Sequence, residues 1–205
     1  MQYAFDFGER EDIKATCDPH AVVPAKQHWD RYFFALRPDD EAVRRIVDET
    51  MPWISREFGV IEAATKPANL HVSVLGVAQS ASYPAALIAR VCERTQRLHC
   101  APFVIGVDRL MSFRGRRRKT TLVLTTRRAP QPLCDLRNDL RARLAGLGMR
   151  APTSFTPHMT LGYSEMRIAE TPVAPVGWSA TAIYLLHSFH GQARHEVLAT
   201  IPLDG

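Results

Sequence analysis

The sequence has no apolar run near the roughly 18 to 20 residues needed to span a bilayer as a helix. Residues 1–14 mix charged and aromatic residues and lack the continuous apolar stretch of a secretion signal. A cytoplasmic protein is therefore expected. Cysteine is scarce: Cys17, Cys92, Cys100 and Cys134 form no C-x-x-C pair and no regular spacing, which argues against a disulfide framework and a zinc cluster. They are expected to be reduced, with Cys92 and Cys134 as small core residues on helices. Acidic residues are outnumbered 21 to 26 by basic ones, and the net charge of +5 modestly favours a polyanionic partner.

At 205 residues and 46% hydrophobic composition, the chain can bury a sizeable core as one domain or as two small lobes around a shared core. Its most informative feature is a doubled pattern. His71-Val72-Ser73-Val74 and His158-Met159-Thr160-Leu161 each read histidine, apolar, hydroxyl, apolar. On a β-strand, positions i and i+2 share a face, so each stretch sets an imidazole beside a hydroxyl while its apolar residues face a core.

The surrounding pattern repeats as well. Residues 1–29 carry Pro19 and Pro24 and no sustained period, so they read as an extension of unknown role ahead of a single bilobal domain over 30–205. An aromatic strand around Phe33 ends at Pro38. Asp39 or Asp40 then caps a helix with Val43, Ile46, Val47, Thr50, Met51 and Ile54 at helical spacing, which Pro52 should bend or end. The first histidine strand covers 69–77, and a second helix starts near Pro84. Strands at 103–110 and 120–126 make a long hairpin whose tip is the basic run from Arg114 to Lys119. Pro130 or Pro132 opens a helix with a Leu133, Leu136, Leu140, Leu144 and Leu147 stripe, stopped by Gly146 and Gly148. The second histidine strand follows, then a proline-rich connection containing Pro172 and Pro175, and strands at 182–189 and 196–201. Strand, helix and histidine strand thus occur twice. The expected fold is α+β: two pseudo-symmetric lobes, each an antiparallel sheet with helices outside, and a central cleft carrying both H-x-[ST]-x motifs.

Such a cleft suits in-line cleavage of a phosphodiester, which needs a base beside the attacking oxygen and an acid beside the leaving one. Two histidines with ordinary pKa values near 6.5 can share one proton close to neutral pH. Ser73 and Thr160 can donate hydrogen bonds to the phosphate oxygens where charge gathers. No metal or other cofactor is required.

The two motifs resemble those of the 2H phosphoesterase superfamily, as do Tyr32-Phe33-Phe34-Ala35-Leu36-Arg37-Pro38 and Phe155-Thr156-Pro157 ahead of the second motif. Within it, the chain is most similar to the RNA 2′,3′-cyclic phosphodiesterases, also called 2′-5′ RNA ligases, over residues 30–203. That resemblance implies a two-lobed α+β fold and metal-independent opening of a 2′,3′-cyclic phosphate to a 2′-phosphate. It makes His71 the proton donor to the leaving oxygen, His158 the proton acceptor that activates water, and Ser73 and Thr160 the phosphate holders. The implied partners are RNA ends or nucleotides carrying a 2′,3′-cyclic phosphate, met by a monomer, with a reversible 2′-5′ RNA ligase activity as a further implied reaction.

The chain departs from the family pattern in having Ser73 where threonine is usual. It also has Tyr163 near a position where the family often places arginine. Tyr163, Phe113 and Arg114 are candidate substrate-binding residues: the aromatics could stack a base, and the arginine could grip phosphate. His187, His190 and His195 cluster near the C-terminus without carboxylate or cysteine company, so they are not read as a metal site. Two alternatives stay open at this point. One is a non-catalytic RNA-binding module using the same basic cleft, and the other is a metal-dependent hydrolase with the histidines as ligands.

Overall fold

The computed structural model describes residues 28–59, 61, 63–113, 119–149 and 154–204. Most of the expected extension and the arginines at 114, 116, 117 and 118 lie outside these residues.

Strand β1 (Asp30–Leu36) leads into α1 (Asp40–Arg45), whose N-cap Asp39 accepts a hydrogen bond from the Ala42 amide. A π-helical turn, Ile46–Thr50, joins α1 to α2 (Met51–Phe58). Pro52 therefore does not end the helix. It falls in the first turn of α2, and the wider π turn just before it accommodates the ladder bond that proline lacks. The short β2 (Ala63–Ala64) precedes β3 (Val72–Ser80), which begins one residue after the first histidine. Next come α3 (Ala85–Thr95), β4 (Phe103–Phe113), β5 (Thr120–Thr125) and α4 (Gln131–Arg143). Beyond α4 the chain turns through Gly146 and Gly148, both at positive φ, a conformation costly for any residue with a Cβ.

The second histidine opens β6 (His158–Ser164). Where the sequence suggested a proline-rich connection, the chain forms β7 (Thr171–Ala180). This strand lies at the sheet edge beside β4, where Pro172 and Pro175 are tolerated because outward-facing amides need no ladder partner. Strands β8 (Ala182–Phe189) and β9 (Arg194–Pro202) complete the chain.

The nine strands form one antiparallel sheet in the order β7-β4-β5-β6-β3-β1-β8-β9, with β2 paired to β6. Its halves are related by the repeat: β6-β5-β4-β7 mirrors β3-β1-β8-β9, and each histidine strand lies innermost. The histidine strands are thus direct neighbours, joined by the antiparallel bridge Val72↔Met159.

Strand alternation separates the two faces. Tyr32, Phe34, Leu36, Val72, Val74, Met159 and Leu161 join the main core with Ile46 and Ile54, Ile88 and Val91, and the Leu133, Leu136 and Leu140 stripe of α4. Among the described residues, the opposite face carries two small apolar clusters, one in each half: Phe33, Ala35 and Leu186, and Met111, Phe113 and Val123. The histidines stand between these clusters.

A buried cation also ties the halves together. Arg137 of α4 is 3% exposed, its Nε donates to the Val74 carbonyl of β3 at 3.2 Å, and its guanidinium lies 4.7 Å from the centre of the Phe155 ring. Burial disfavours its charge and lowers its pKa. Arg137→Ala should lower unfolding stability by about 2 to 3 kcal/mol, because the Val74 carbonyl loses a charged donor and the cation–ring packing goes. Urea titration would read this as a lower midpoint at unchanged slope, and a midpoint equal to that of the native protein would contradict it.

Candidate active site

The two motifs meet across the β3–β6 bridge. Counting one residue either way from Val72↔Met159 sets His71 opposite Thr160 and Ser73 opposite His158. On that count the two imidazoles and two hydroxyls share the face opposite Val72 and Met159, a diamond set by the register. Local bonding repeats as well. His71 Nδ1 lies 2.7 Å from the Asn69 carbonyl, and His158 Nδ1 lies 2.9 Å from the Thr156 carbonyl, each two residues upstream. A carbonyl can only accept, so both rings hold their proton on Nδ1 and leave Nε2 for chemistry.

The halves differ in one respect. Ser73 Oγ lies 3.1 Å from His71 Nε2 and can donate to it. No described residue hydrogen-bonds to Thr160 Oγ1 or to His158 Nε2.

Two bulges shape the walls. On β6 the register slips from Thr160↔Val123 to Gly162↔Leu122, which leaves Leu161 as the extra residue and sets Tyr163 opposite Thr121. Tyr163 thereby shares a face with Thr160 and His158, and it is 48% exposed. Phe113 lies on that face too, but it is buried, with its ring edge-on to His158 at a centroid distance of 4.8 Å. It buttresses the imidazole. Arg114 is outside the described residues. A corresponding slip between Phe34 and Ala35 places Ser73 beside Ala35.

The sequence reading missed one histidine at this site. His195 on β9 pairs with Ser188, on the cleft face of the first half. Its ring meets His71 at a centroid distance of 5.1 Å and Phe33 at 5.8 Å, both near-perpendicular. Strands β3 and β9 are three spacings apart, about 14 Å in a flat sheet, so this contact requires the half-sheet to curl. Asn69 holds the curl in place: its backbone carbonyl accepts from His71 while its side-chain amide donates to the Ala193 carbonyl at 2.8 Å, in the β8–β9 turn.

The other two C-terminal histidines go elsewhere. His187 stacks on Tyr32 and bonds Asp30 at 2.8 Å, and the His190 amide donates to the same carboxylate. Those two bonds, the His190 amide first, hold the Asp30 pKa below its usual value. Only strand register separates His195 from its sequence neighbours, and spacing alone does not reveal that register.

The cleft disfavours positive charge. Burial lowers the His71 pKa to about 4, partly offset by the Asn69 carbonyl, with His195, His158 and Arg37 also lowering it. Burial lowers His158, against the Thr156 carbonyl. Burial and then Arg37 lower His195. All three imidazoles are therefore neutral at pH 7. A bound anion would return a proton to the pair. This arrangement can pass a proton to one side of a phosphate and take one from the other.

Curled antiparallel sheets of this kind occur in solved structures. Escherichia coli LigT in its apo form superposes with a TM-score of 0.67 at 22% identity, covering 87% of this chain and 99% of that one. TT0787 of Thermus thermophilus gives 0.67 at 20% identity, covering 85% and 98%. A protein described as a phosphoesterase gives 0.70 at 22% identity, covering 86% and 99%. These likenesses define the fold class, the α+β sheet of LigT-like phosphoesterases. The sequence itself matches the 2′-5′ RNA ligase superfamily over residues 35–188, and the chain belongs to that family of phosphoesterases and ligases. No curated protein matches the sequence.

Histidine proton shifts followed by NMR from pH 3 to 9 should place the His71 midpoint near 4 and the His158 midpoint below 6.5. Inorganic phosphate should raise the His71 midpoint. Midpoints at 6.5 with no response to phosphate would contradict the electrostatics described above.

Proposed function

We propose that the protein is a metal-independent phosphodiesterase that opens a 2′,3′-cyclic phosphate at an RNA or nucleotide end to a 2′-phosphate. The observation that carries this reading is the diamond of His71, Ser73, His158 and Thr160, with both Nδ1 atoms fixed on backbone carbonyls. Family membership supports it, and so does the range of ligands with which E. coli LigT has been crystallised, 3′-AMP and phosphate among them.

In this reading the cyclic phosphate lies over the diamond, its non-bridging oxygens accepting from Ser73 and Thr160. His158 Nε2 takes a proton from water as the water oxygen bonds to phosphorus. The bond from phosphorus to the 3′ oxygen breaks, and His71 Nε2 delivers a proton to that oxygen. One proton leaves the first imidazole and one joins the second, so solvent exchange restores the pair. Run in the same direction with a 5′-hydroxyl end in place of water, the same steps form a 2′-5′ bond and free the 3′-hydroxyl. Tyr163 offers an exposed ring on the cleft face for a base, and Phe113 holds His158 upright.

Protonation is the limiting condition. The productive enzyme carries one proton on the histidine pair, while burial favours none. Above both pKa values the singly protonated fraction falls tenfold per pH unit. Since both values lie below 6.5, kcat/KM should peak on the acidic side of pH 6.5 and decline as pH rises. A rate constant that rises between pH 6.5 and 8.5 would rule out this proton inventory.

The function itself is tested with a short RNA ending in a 2′,3′-cyclic phosphate, in excess chelator. The native protein should yield the 2′-phosphate. His71→Ala and His158→Ala should each lose about 10²- to 10⁴-fold in kcat/KM with folding intact. Salt-sensitive RNA binding without histidine-dependent turnover would identify the chain instead as an RNA-binding module.

A further inference from the structure

Beside the diamond lies a second polar group that the reaction does not use. The β1–β3 register ends on Leu36↔Val72, and one further step sets Arg37 beside His71, on the side away from β6. Strand alternation puts Arg37 on the same face as Phe33 and Ala35, the cleft face. Its guanidinium donates to the Ala68 carbonyl and lies 5.8 Å from the centre of the Tyr184 ring. Among the described residues, no carboxylate pairs with it.

His195 reaches the same place from β9, and its Nδ1 is buried with no hydrogen-bond partner among the described residues. A buried nitrogen without a partner is destabilising, a cost that a bound partner would recover. The positive charge of Arg37 helps to lower the pKa of both His71 and His195.

We propose that Arg37 and His195 form an anion subsite that receives a second phosphate of the substrate, the 5′-phosphate of the nucleotide whose 2′,3′-cyclic phosphate is opened. This rests on the function proposed above. His71 stands between the two positions: the scissile phosphate spans His71 and His158 across β3 and β6, whereas Arg37 and His195 lie beyond His71 on β1 and β9. A phosphate there would accept from the guanidinium and the imidazole. It would also cancel the positive field that opposes a proton on His71, so a filled subsite makes His71 a better acid. The preferred substrates are then oligonucleotides or nucleoside 5′-phosphates with a cyclic end, ahead of the bare nucleoside cyclic phosphate.

The test compares adenosine 2′,3′-cyclic phosphate with and without a 5′-phosphate, reading the ratio of kcat/KM for the two. The native ratio should be about tenfold or more in favour of the 5′-phosphate, the range of one charge-assisted hydrogen bond. Arg37→Met should bring the ratio close to one, Arg37→Lys should restore part of it, and His195→Phe should lower it several-fold. A native ratio near one overturns the proposal, including the case in which Arg37→Met slows both substrates equally because it serves the scissile phosphate. A ratio that survives Arg37→Met overturns it too, and one that survives His195→Phe removes His195 from the subsite.

Calorimetric binding of the two products, adenosine 2′-phosphate and adenosine 2′,5′-bisphosphate, reads the same preference without turnover. Absence of hydrolysis of either substrate would refute the proposed function, while the binding ratio would still decide the subsite.

Discussion

One antiparallel bridge, Val72↔Met159, sets the geometry of the whole site. Each half of the sheet presents a histidine and a hydroxyl on its innermost strand, and neither half holds more than one imidazole of the pair. Antiparallel pairing at that single step brings them together and fixes which groups oppose which. A slip of one residue would turn one motif's imidazole and hydroxyl into the core and its apolar residues into the cleft. The core guards against this. Val72 and Met159 are fully buried on the helix-covered face, and Arg137 clamps the Val74 carbonyl from the helix of the other half.

The motifs, the repeat and most elements were legible from sequence because they rest on local period. The stripe at Leu133, Leu136 and Leu140 buries the face its spacing implied, and the aromatic strand around Phe33 is buried from Tyr32 to Leu36. The helix does not end at Pro52 and the Pro172–Pro175 stretch is a strand because a proline's effect depends on what surrounds it: a π turn ahead of the first, an open sheet edge beside the second. His195 was not legible at all. Its place beside His71 depends on β8–β9 pairing and on sheet curl, which no local pattern encodes. Tyr163 gained its position from a bulge at Leu161, equally silent in the sequence.

The site also illustrates a conflict between burial and catalysis. Proton transfer benefits from a water-poor cleft, yet the same burial strips the proton from the imidazole that must donate it. An anionic substrate resolves the conflict, since its charge supplies what the cleft itself withholds. Protonation then becomes a consequence of binding, and the resting protein holds neutral rings backed by carbonyls. Arg37, placed beyond His71, sharpens this dependence and rewards substrates that bring more than one phosphate.

The central claim is that His71 and His158 act as one acid–base unit, and a double-mutant cycle on catalysis tests it most directly. With a 2′,3′-cyclic phosphate substrate, kcat/KM would be measured for the native protein, for each histidine-to-alanine variant and for the double variant, all shown to be folded. Groups that serve one concerted transfer are strongly non-additive. The account predicts that the double variant is no slower than about the worse single one. Losses that multiply across the two positions would mean that the histidines contribute independently, and would contradict the paired mechanism.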